Sequence, residues 1–350
     1  MRSDKLSGTD HQVGGVRGKA QMRQGRIALR CPDCKVRIRD LSCANCGRDF
    51  RTAEEWADFL PRSETSTSDK AYLEMPDTYE SLKHTLGARR MVADWSVTKI
   101  EDTNLTLMDY VRPQSNLRVL EIGSGRGYFC KIFNEKYPDN TYAIVEYSPA
   151  NIKYGLKLGF YRNASLVFRG SVYSLPFEDN EFDLVVGSEV LEHLEHLDRA
   201  LSEMNRVLRT DGHVIASSPN SLMHLYPLPL AIALLQTLHH PRDPKKGFRV
   251  LNKRLRREID DNTEGWFDRP FLPGQFAGLF ERRNYAILRH ITSILYFYYP
   301  PFSSLIMEHP NALLVKWLTR ATIKLSDYML KTNAPIVKWM GSRQHMVARK

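Results

Sequence analysis

The sequence is poor in cysteine, with five in 350 residues, and that scarcity excludes a disulfide-built scaffold. It also lacks an apolar run of the length a membrane span needs. The nearest, Leu222 to Leu238, is broken by His224, Pro227, Pro229 and Gln236. Twenty glycines and 18 prolines are ordinary abundances, so collagen-like and low-complexity chains are excluded. There is no internal repeat, which removes solenoids and propellers. Met1 to Gly25 has no apolar centre of the secretory kind; residues 1–26 are polar and basic and read as a disordered arm. These absences predict a cytoplasmic protein, with peripheral contact at a membrane surface left open.

What is present suits a globular protein. The 42% hydrophobic and 26% charged fractions are ordinary and leave material for a substantial core. The length allows two domains, or one large domain with an appendage. Lys and Arg outnumber Asp and Glu by 50 to 40, a net charge of +10. Such an excess attracts nucleic acid, acidic lipid or a phosphorylated metabolite, and equally well only keeps a surface solvated.

Four of the five cysteines fall together, as Cys31-Pro-Asp-Cys34 and Cys43-Ala-Asn-Cys46-Gly47. Two Cys-x-x-Cys pairs across a short connection match a tetrahedral zinc site, each turn aiming two sulfurs at one metal. Gly47 suits the tight turn after the second pair. Four thiolates leave no open coordination position, so the expected role of Zn2+ is structural. Residues 27–60 are too few for an apolar core of their own, and metal binding would supply folding energy. The segment resembles the zinc ribbons of translation and tRNA-modification proteins. Residues 61–70 read as a polar linker, and 71–109 as mostly helical, with Leu82, Leu86, Met91 and Trp95 spaced to share a face.

The chemistry-bearing pattern begins at Leu117. A short apolar strand leads into Glu121-Ile-Gly123-Ser124-Gly125-Arg-Gly127, and Tyr128 to Tyr137 then reads as a helix. Glycines at these places let the backbone turn sharply and approach a ligand with no Cβ in the way. Tyr142-Ala-Ile-Val-Glu146 is a second strand ending in an acid, where Rossmann-like units hold a ribose. Phe182 to Gly187 reads as a buried strand, Leu197 to Leu208 as an amphipathic helix, and His213 to Ser217 as another strand. Alternation of this kind implies a parallel sheet with a ligand at the strands' carboxyl ends. The glycine spacing differs from the Gly-x-Gly-x-x-Gly of dinucleotide binders.

Residues 117–220 resemble the class I S-adenosylmethionine-dependent methyltransferases, especially the group of quinone-biosynthesis and small-molecule methyltransferases. The resemblance is carried by Val119 to Gly127, Val145-Glu-Tyr-Ser148, Leu175-Pro-Phe177, Phe182 to Val186, Glu189-Val-Leu-Glu-His193 and Glu203 to Leu208. It implies an α/β fold, a Rossmann-like seven-stranded methyltransferase sheet with helices on both faces, preceded by the small zinc ribbon. The methyltransferase domain would span 71–350, with a cofactor core at 117–220 and a substrate and insertion region at 221–350. The resemblance further implies that Gly123, Ser124, Gly125 and Gly127 lie against the methionyl part of S-adenosylmethionine, with Glu121 near its amino group. Glu146 would take the ribose hydroxyls, Tyr147 and Val172 would flank the adenine, and Ser188 would line the site. The family often has Gly-Asp before its Leu-Pro-Phe; Gly170-Ser171 stands here, which makes Ser171 the counterpart of the adenine-contacting acid.

A hydroxyl acceptor benefits from losing its proton as it attacks. His193, after the fourth core strand, is the candidate base, and the alternative is that Glu-His caps the following helix. Glu189, Glu192 and His193 also match part of a divalent-metal site of some relatives; with His239 or His240 they would suit Mg2+ or Mn2+. Beyond Asn220 the chain leaves the common pattern. An apolar stretch is followed by the basic run Pro241 to Arg257, then by the aromatic run Ile291 to Phe302. That mixture suits a small-molecule or lipid-linked acceptor met at a membrane surface. The rival readings are RNA methylation, with zinc ribbon and basic segments gripping phosphates, and a methyltransferase-like scaffold without activity. Gln344 to Arg349 reads as the closing edge strand, with Ile294 to Gly341 inserted before it.

Overall fold

A computed structural model describes residues 27–64, 98–221, 269, 271–293, 311–331 and 341–350, the side chains of 322, 325, 326 and 329–331 excepted. The arm at 1–26, the helical pattern around Leu82 to Trp95, Leu222 to Leu238, the basic run 241–257, His239, His240 and most of the aromatic run lie outside the described residues.

The chain alternates strand and helix as its apolar periodicity requires. Two short strands of the cysteine-bearing segment, β1 (Leu29–Arg30) and β2 (Arg37–Ile38), pair with each other, and β3 (Ala57–Asp58) follows them. Strand β4 (Arg118–Ile122) leads to helix α1 (Tyr128–Lys136), β5 (Thr141–Glu146) to α2 (Pro149–Lys157), and then comes β6 (Leu166–Arg169). After β7 (Phe182–Ser188) come a short 3-10 turn (Leu191–His193), α3 (Leu197–Val207) and β8 (Leu208–Pro219). Helix α4 (Pro273–Glu281), β9 (Ala286–Ser293), α5 (Leu313–Lys331) and β10 (Arg343–Arg349) complete the described fold. Ser148 caps α2 through its side chain, and Pro149 at the first turn costs no hydrogen bond there.

The main sheet runs β3-β6-β5-β4-β7-β8-β10-β9. The strands from β3 to β8 pair parallel, whereas β10 is antiparallel to both β8 and β9. Chain order reverses at β4, whose neighbours are β5 and β7, and such a switch point opens a crevice at the carboxyl ends. Strands buried on both faces are almost wholly apolar: every residue of β7 but Ser188 is buried. One apolar cluster gathers α1, α2 and Leu107 and Met108; the other gathers α3, α4 and the cysteine segment. Helices therefore cover both faces.

Two sequence expectations change. The sheet has eight strands, because β3 pairs with β6 at the edge. The expected closing edge strand is interior, lying between β8 and β9, and the edge belongs to β9. Apolar pattern alone does not tell an interior antiparallel strand from an edge one, and Met346, Val347 and Ala348 fit either.

The cysteine segment is built on the core and not apart from it. Phe50 stacks on Phe59 with centroids 4.3 Å apart, Phe59 meets Phe168 at 4.7 Å, and Phe168, Phe177 and Phe182 continue the series inward. All five rings are fully buried. The expected linker begins as packed structure: Pro61 is buried, and Glu64 pairs with Arg199 at 3.2 Å.

Candidate functional site

The turn between β4 and α1 has three glycines at positive φ, Gly123 at 60°, Gly125 at 55° and Gly127 at 80°. Only glycine enters that region without strain. A Cβ on Gly127 would sit 2.0 Å from the Tyr161 ring, and one on Gly123 2.6 Å from Val190. Gly125 has nothing within 4 Å of that position, and Gly123 is exposed. The turn is thus packed tightly from below and bare above. Tyr161 fixes it, its hydroxyl bonding Gly125 O and Ser124 Oγ at 2.6 Å each.

Carboxylates surround this turn. Glu146, at the tip of β5, accepts from Gly125 N and Ser148 N at 2.8 Å each. The Asn151 side chain and the Tyr147 amide also face it, so the carboxylate is held in one orientation. Glu121 is buried and accepts from the Tyr142 hydroxyl at 2.9 Å. Glu101 comes from the helical residues 98–106 and accepts from Ser188 Oγ at 2.9 Å and Asn104 Nδ2 at 3.2 Å. Burial first, and the neighbouring negative charges after it, push Glu101 up to about 7 and Glu121 well above the usual carboxylate range. Burial also raises Glu146, against the pull of the Ser148 and Gly125 amides. Poorly hydrated acids facing one another favour a cation between them.

Behind Glu101 the polar atoms are satisfied as a chain. Asn104 Nδ2 donates to Ser188 Oγ at 2.9 Å and to Ser217 Oγ at 3.3 Å, and its Oδ1 accepts from His345 Nδ1 at 2.8 Å. That bond leaves His345 Nε2 to accept from Ser293 Oγ at 2.6 Å. Burial lowers His345 to about 3, so the ring stays neutral. Strands β7, β8, β9 and β10 and the segment 98–106 are thereby tied together at the carboxyl end of β7.

Of the residues expected at the site, Glu121, Gly123, Ser124, Gly125, Gly127, Glu146 and Ser188 gather at the ends of β4, β5 and β7. Ser171 is buried after β6, its hydroxyl accepting from Tyr173 N at 3.1 Å, and Val172 packs against the apolar cluster beside it. The Tyr147 hydroxyl donates to Glu64 O at 3.4 Å, which links the expected adenine site to the cysteine segment. His193 lies on the turn after β7, its side chain 28% exposed and Nε2 3.8 Å from Glu192 Oε1.

Of the expected divalent-metal set, Glu189 Oε2 pairs with Arg343 Nε at 2.6 Å, Glu192 Oε1 lies 3.8 Å from His193 Nε2, and His239 and His240 lie outside the described residues. Among the described residues, only Cys31, Cys34, Cys43 and Cys46 gather three or more metal-ligating groups, with sulfurs all within 4.8 Å of one another. Those four fit Zn2+. Sulfurs at tetrahedral corners about 2.3 Å from a metal lie about 3.8 Å apart; Cys31 and Cys46 are at 3.8 Å and Cys34 and Cys43 at 3.2 Å. The two knuckles repeat one geometry. Lys35 and Gly47 have φ of 62° and 70°, and their amides donate to Cys31 O at 3.0 Å and Cys43 O at 2.8 Å. The amides of Asp33 and Cys34 point at the Cys31 sulfur.

Sequence reasoning missed Glu101, Asn104, Tyr161, Arg343 and His345. None stands in a motif, and each reaches the site through pairing of distant segments.

The parallel-rich sheet and its glycine turn have a Rossmann-like arrangement, and residues 120–216 match the family described as Methyltransferase domain. Curated relatives agree. The chain is 28% identical over 152 residues to a phthiotriol/phenolphthiotriol dimycocerosates methyltransferase of Mycobacterium leprae, covering 43% of this chain and 53% of that protein. It is 29% identical over 135 residues to a malonyl-[acyl-carrier protein] O-methyltransferase of Laribacter hongkongensis, covering 35% and 45%. The chain spans about half the length of the curated relatives it matches. A solved S-adenosylmethionine-dependent methyltransferase from Mesorhizobium loti aligns over 70% of this chain and 96% of its own, at 15% identity and a TM-score of 0.42.

Proposed function

We propose that this protein transfers a methyl group from S-adenosylmethionine to a hydroxyl of a small-molecule or lipid-linked acceptor. The observation that carries the reading is the bare glycine turn ringed by Glu101, Glu121 and Glu146, three acids that burial makes poor anions until a cation arrives. When bound, S-adenosylmethionine supplies a methyl already activated on a positively charged sulfur. In this reading Glu121 and Glu101 hold the cationic methionyl end and Glu146 takes the ribose. Tyr147, Ser171 and Val172 form the adenine side, and Ser188 orients Glu101. Positioning accounts for much of the rate in such a displacement. His193, at the mouth on the turn after β7, takes the acceptor's proton as attack proceeds.

The relatives support an acceptor of small-molecule or lipid type, since one is named for a dimycocerosate and another for a malonyl-acyl-carrier-protein acceptor. RNA methylation has less behind it, because the cysteine segment spends its apolar face and a strand edge on the core.

Calorimetry with S-adenosylmethionine tests the cofactor reading, and absence of heat overturns it. His193→Ala should lower turnover by roughly a hundredfold or more, the ordinary contribution of a general base, with cofactor affinity unchanged. Unaltered turnover removes His193 from the chemistry.

A further inference from the structure

We propose that helix α5 is an interfacial membrane helix, which lays one face on an anionic bilayer and holds the mouth of the site against it. Among the described residues, the large apolar side chains with most exposure are Leu313 at 86%, Leu314 at 67%, Tyr328 at 65% and Trp317 at 63%; the next highest is 41%. All four belong to α5. At about 100° per residue they fall within roughly 100° of its circumference. The exposed Ala321 and Lys324 lie inside that arc and the exposed Arg320 borders it, whereas no acid falls within it.

Three residues outside this arc tie the helix to the protein. Val315 and Thr319 are buried, and Asp327, the only acid in the helix, pairs with Lys99 at 2.9 Å. Lys99 stands two residues before Glu101, so α5 is anchored to the segment whose Glu101 and Asn104 cover the ends of β7 and β8. That ion pair joins α5 to the segment that carries Glu101.

The chemistry of the arc selects its occupant. Trp and Tyr beside leucines suit the boundary between headgroup and acyl chain, and Arg and Lys on the same side suit anionic headgroups. A protein partner or a second copy would gain little from cations interleaved so closely with the apolar groups. A helix of 19 residues is about 28 Å long, yet no helix among the described residues is long and apolar enough to cross a membrane. It lies on the surface.

The full-length protein is floated with vesicles of phosphatidylcholine alone and of phosphatidylcholine mixed with phosphatidylglycerol. The expected result is partition into the anionic vesicles only, weakened by salt. Brominated acyl chains should quench tryptophan emission in the wild type, and Trp317→Phe should lose most of that quenching. The pair Arg320→Gln and Lys324→Gln should weaken partition about fivefold per cation, roughly thirtyfold together. Leu314→Glu with Trp317→Glu should abolish it. All four positions are exposed, so thermal melting and cofactor heats serve as controls for folding. Failure of the wild type to bind anionic vesicles overturns the proposal, as does wild-type partition in both double variants. So does a concentration-dependent dimer in light scattering that Leu314→Glu with Trp317→Glu dissolves, since the face is then a self-association surface. Partition is read without turnover, so loss of cofactor heat with intact lipid binding defeats the methyl-transfer reading alone.

Discussion

Glu101→Gln tests the electrostatic core of the site. Burial is the main reason that Glu101 holds its proton up to about pH 7, against an ordinary 4.5. The span from 4.5 to 7 corresponds to about 3 kcal/mol. The folded-state pKa is the higher one, so the stability conferred by the protonated acid is full below about pH 4.5. It is lost as the pH rises through 7. At about pH 8 the ligand-free wild type thus carries a strained carboxylate, and Glu101→Gln should be more stable there by about 1–3 kcal/mol, with no gain at about pH 4.5. A cationic ligand reverses the preference, because it binds the ionised acid. Roughly one molecule in ten is ionised at about pH 6 and nine in ten at about pH 8, so wild-type affinity for S-adenosylmethionine should rise about tenfold over that interval. The Gln variant should lose that step and stay near the weak low-pH affinity. Calorimetry across the pH range, in buffers of different ionisation enthalpy, reads both the affinity and the proton released on binding. A flat wild-type profile, or a rise that persists in the variant, refutes the reasoning. Unchanged affinity with lost turnover would instead make Glu101 the base.

Two further outcomes follow from the packing. Cys43→Ser should remove one zinc per chain in metal analysis and lower the melting temperature by more than about 10 °C; a chelator that leaves melting unchanged would show the metal to be dispensable. Tyr161→Phe keeps the ring under Gly127 but deletes the bonds to Ser124 and Gly125. It should cost about 1–2 kcal/mol in urea unfolding and weaken cofactor affinity, and wild-type values for both would mean that the glycine turn holds its shape unaided.

The core is legible in the sequence where one side chain's type carries the information. Gly123, Gly125 and Gly127 announce a turn that only glycine enters, and the spacing of the paired cysteines announces that four sulfurs meet. The strands β4, β5 and β7 follow from short apolar runs with an acid or a turn at the end. Glu101 and Asn104 are not legible: Glu101 meets Ser188 from 87 residues away, and Asn104 meets Ser188, Ser217 and His345 from 84, 113 and 241. Nor is β3, a two-residue strand that exists only because β6 offers it an edge. Nor is the partner of Glu189 legible, since Arg343 reaches it from the last strand, more than 150 residues on.

The cysteine segment bears on what the core can do. An independent nucleic-acid module needs a free face, and this one is committed: Phe50 and Phe59 are buried against Phe168, and Ala57 and Asp58 extend the sheet. Several of its cations turn inward or to the adjoining acids, with Lys35 donating to Ser174 Oγ and Arg48 paired with Asp33 at 2.9 Å. Asp33, between two of the metal-ligating cysteines, also accepts from Arg62 N at 2.8 Å, two residues before the Glu64 that meets Tyr147 and Arg199. A continuous path of bonds thus runs from the first cysteine knuckle to Tyr147, next to Glu146 at the glycine turn. Loss of the metal should therefore be felt first as loosened cofactor, which is the behaviour of a buttress.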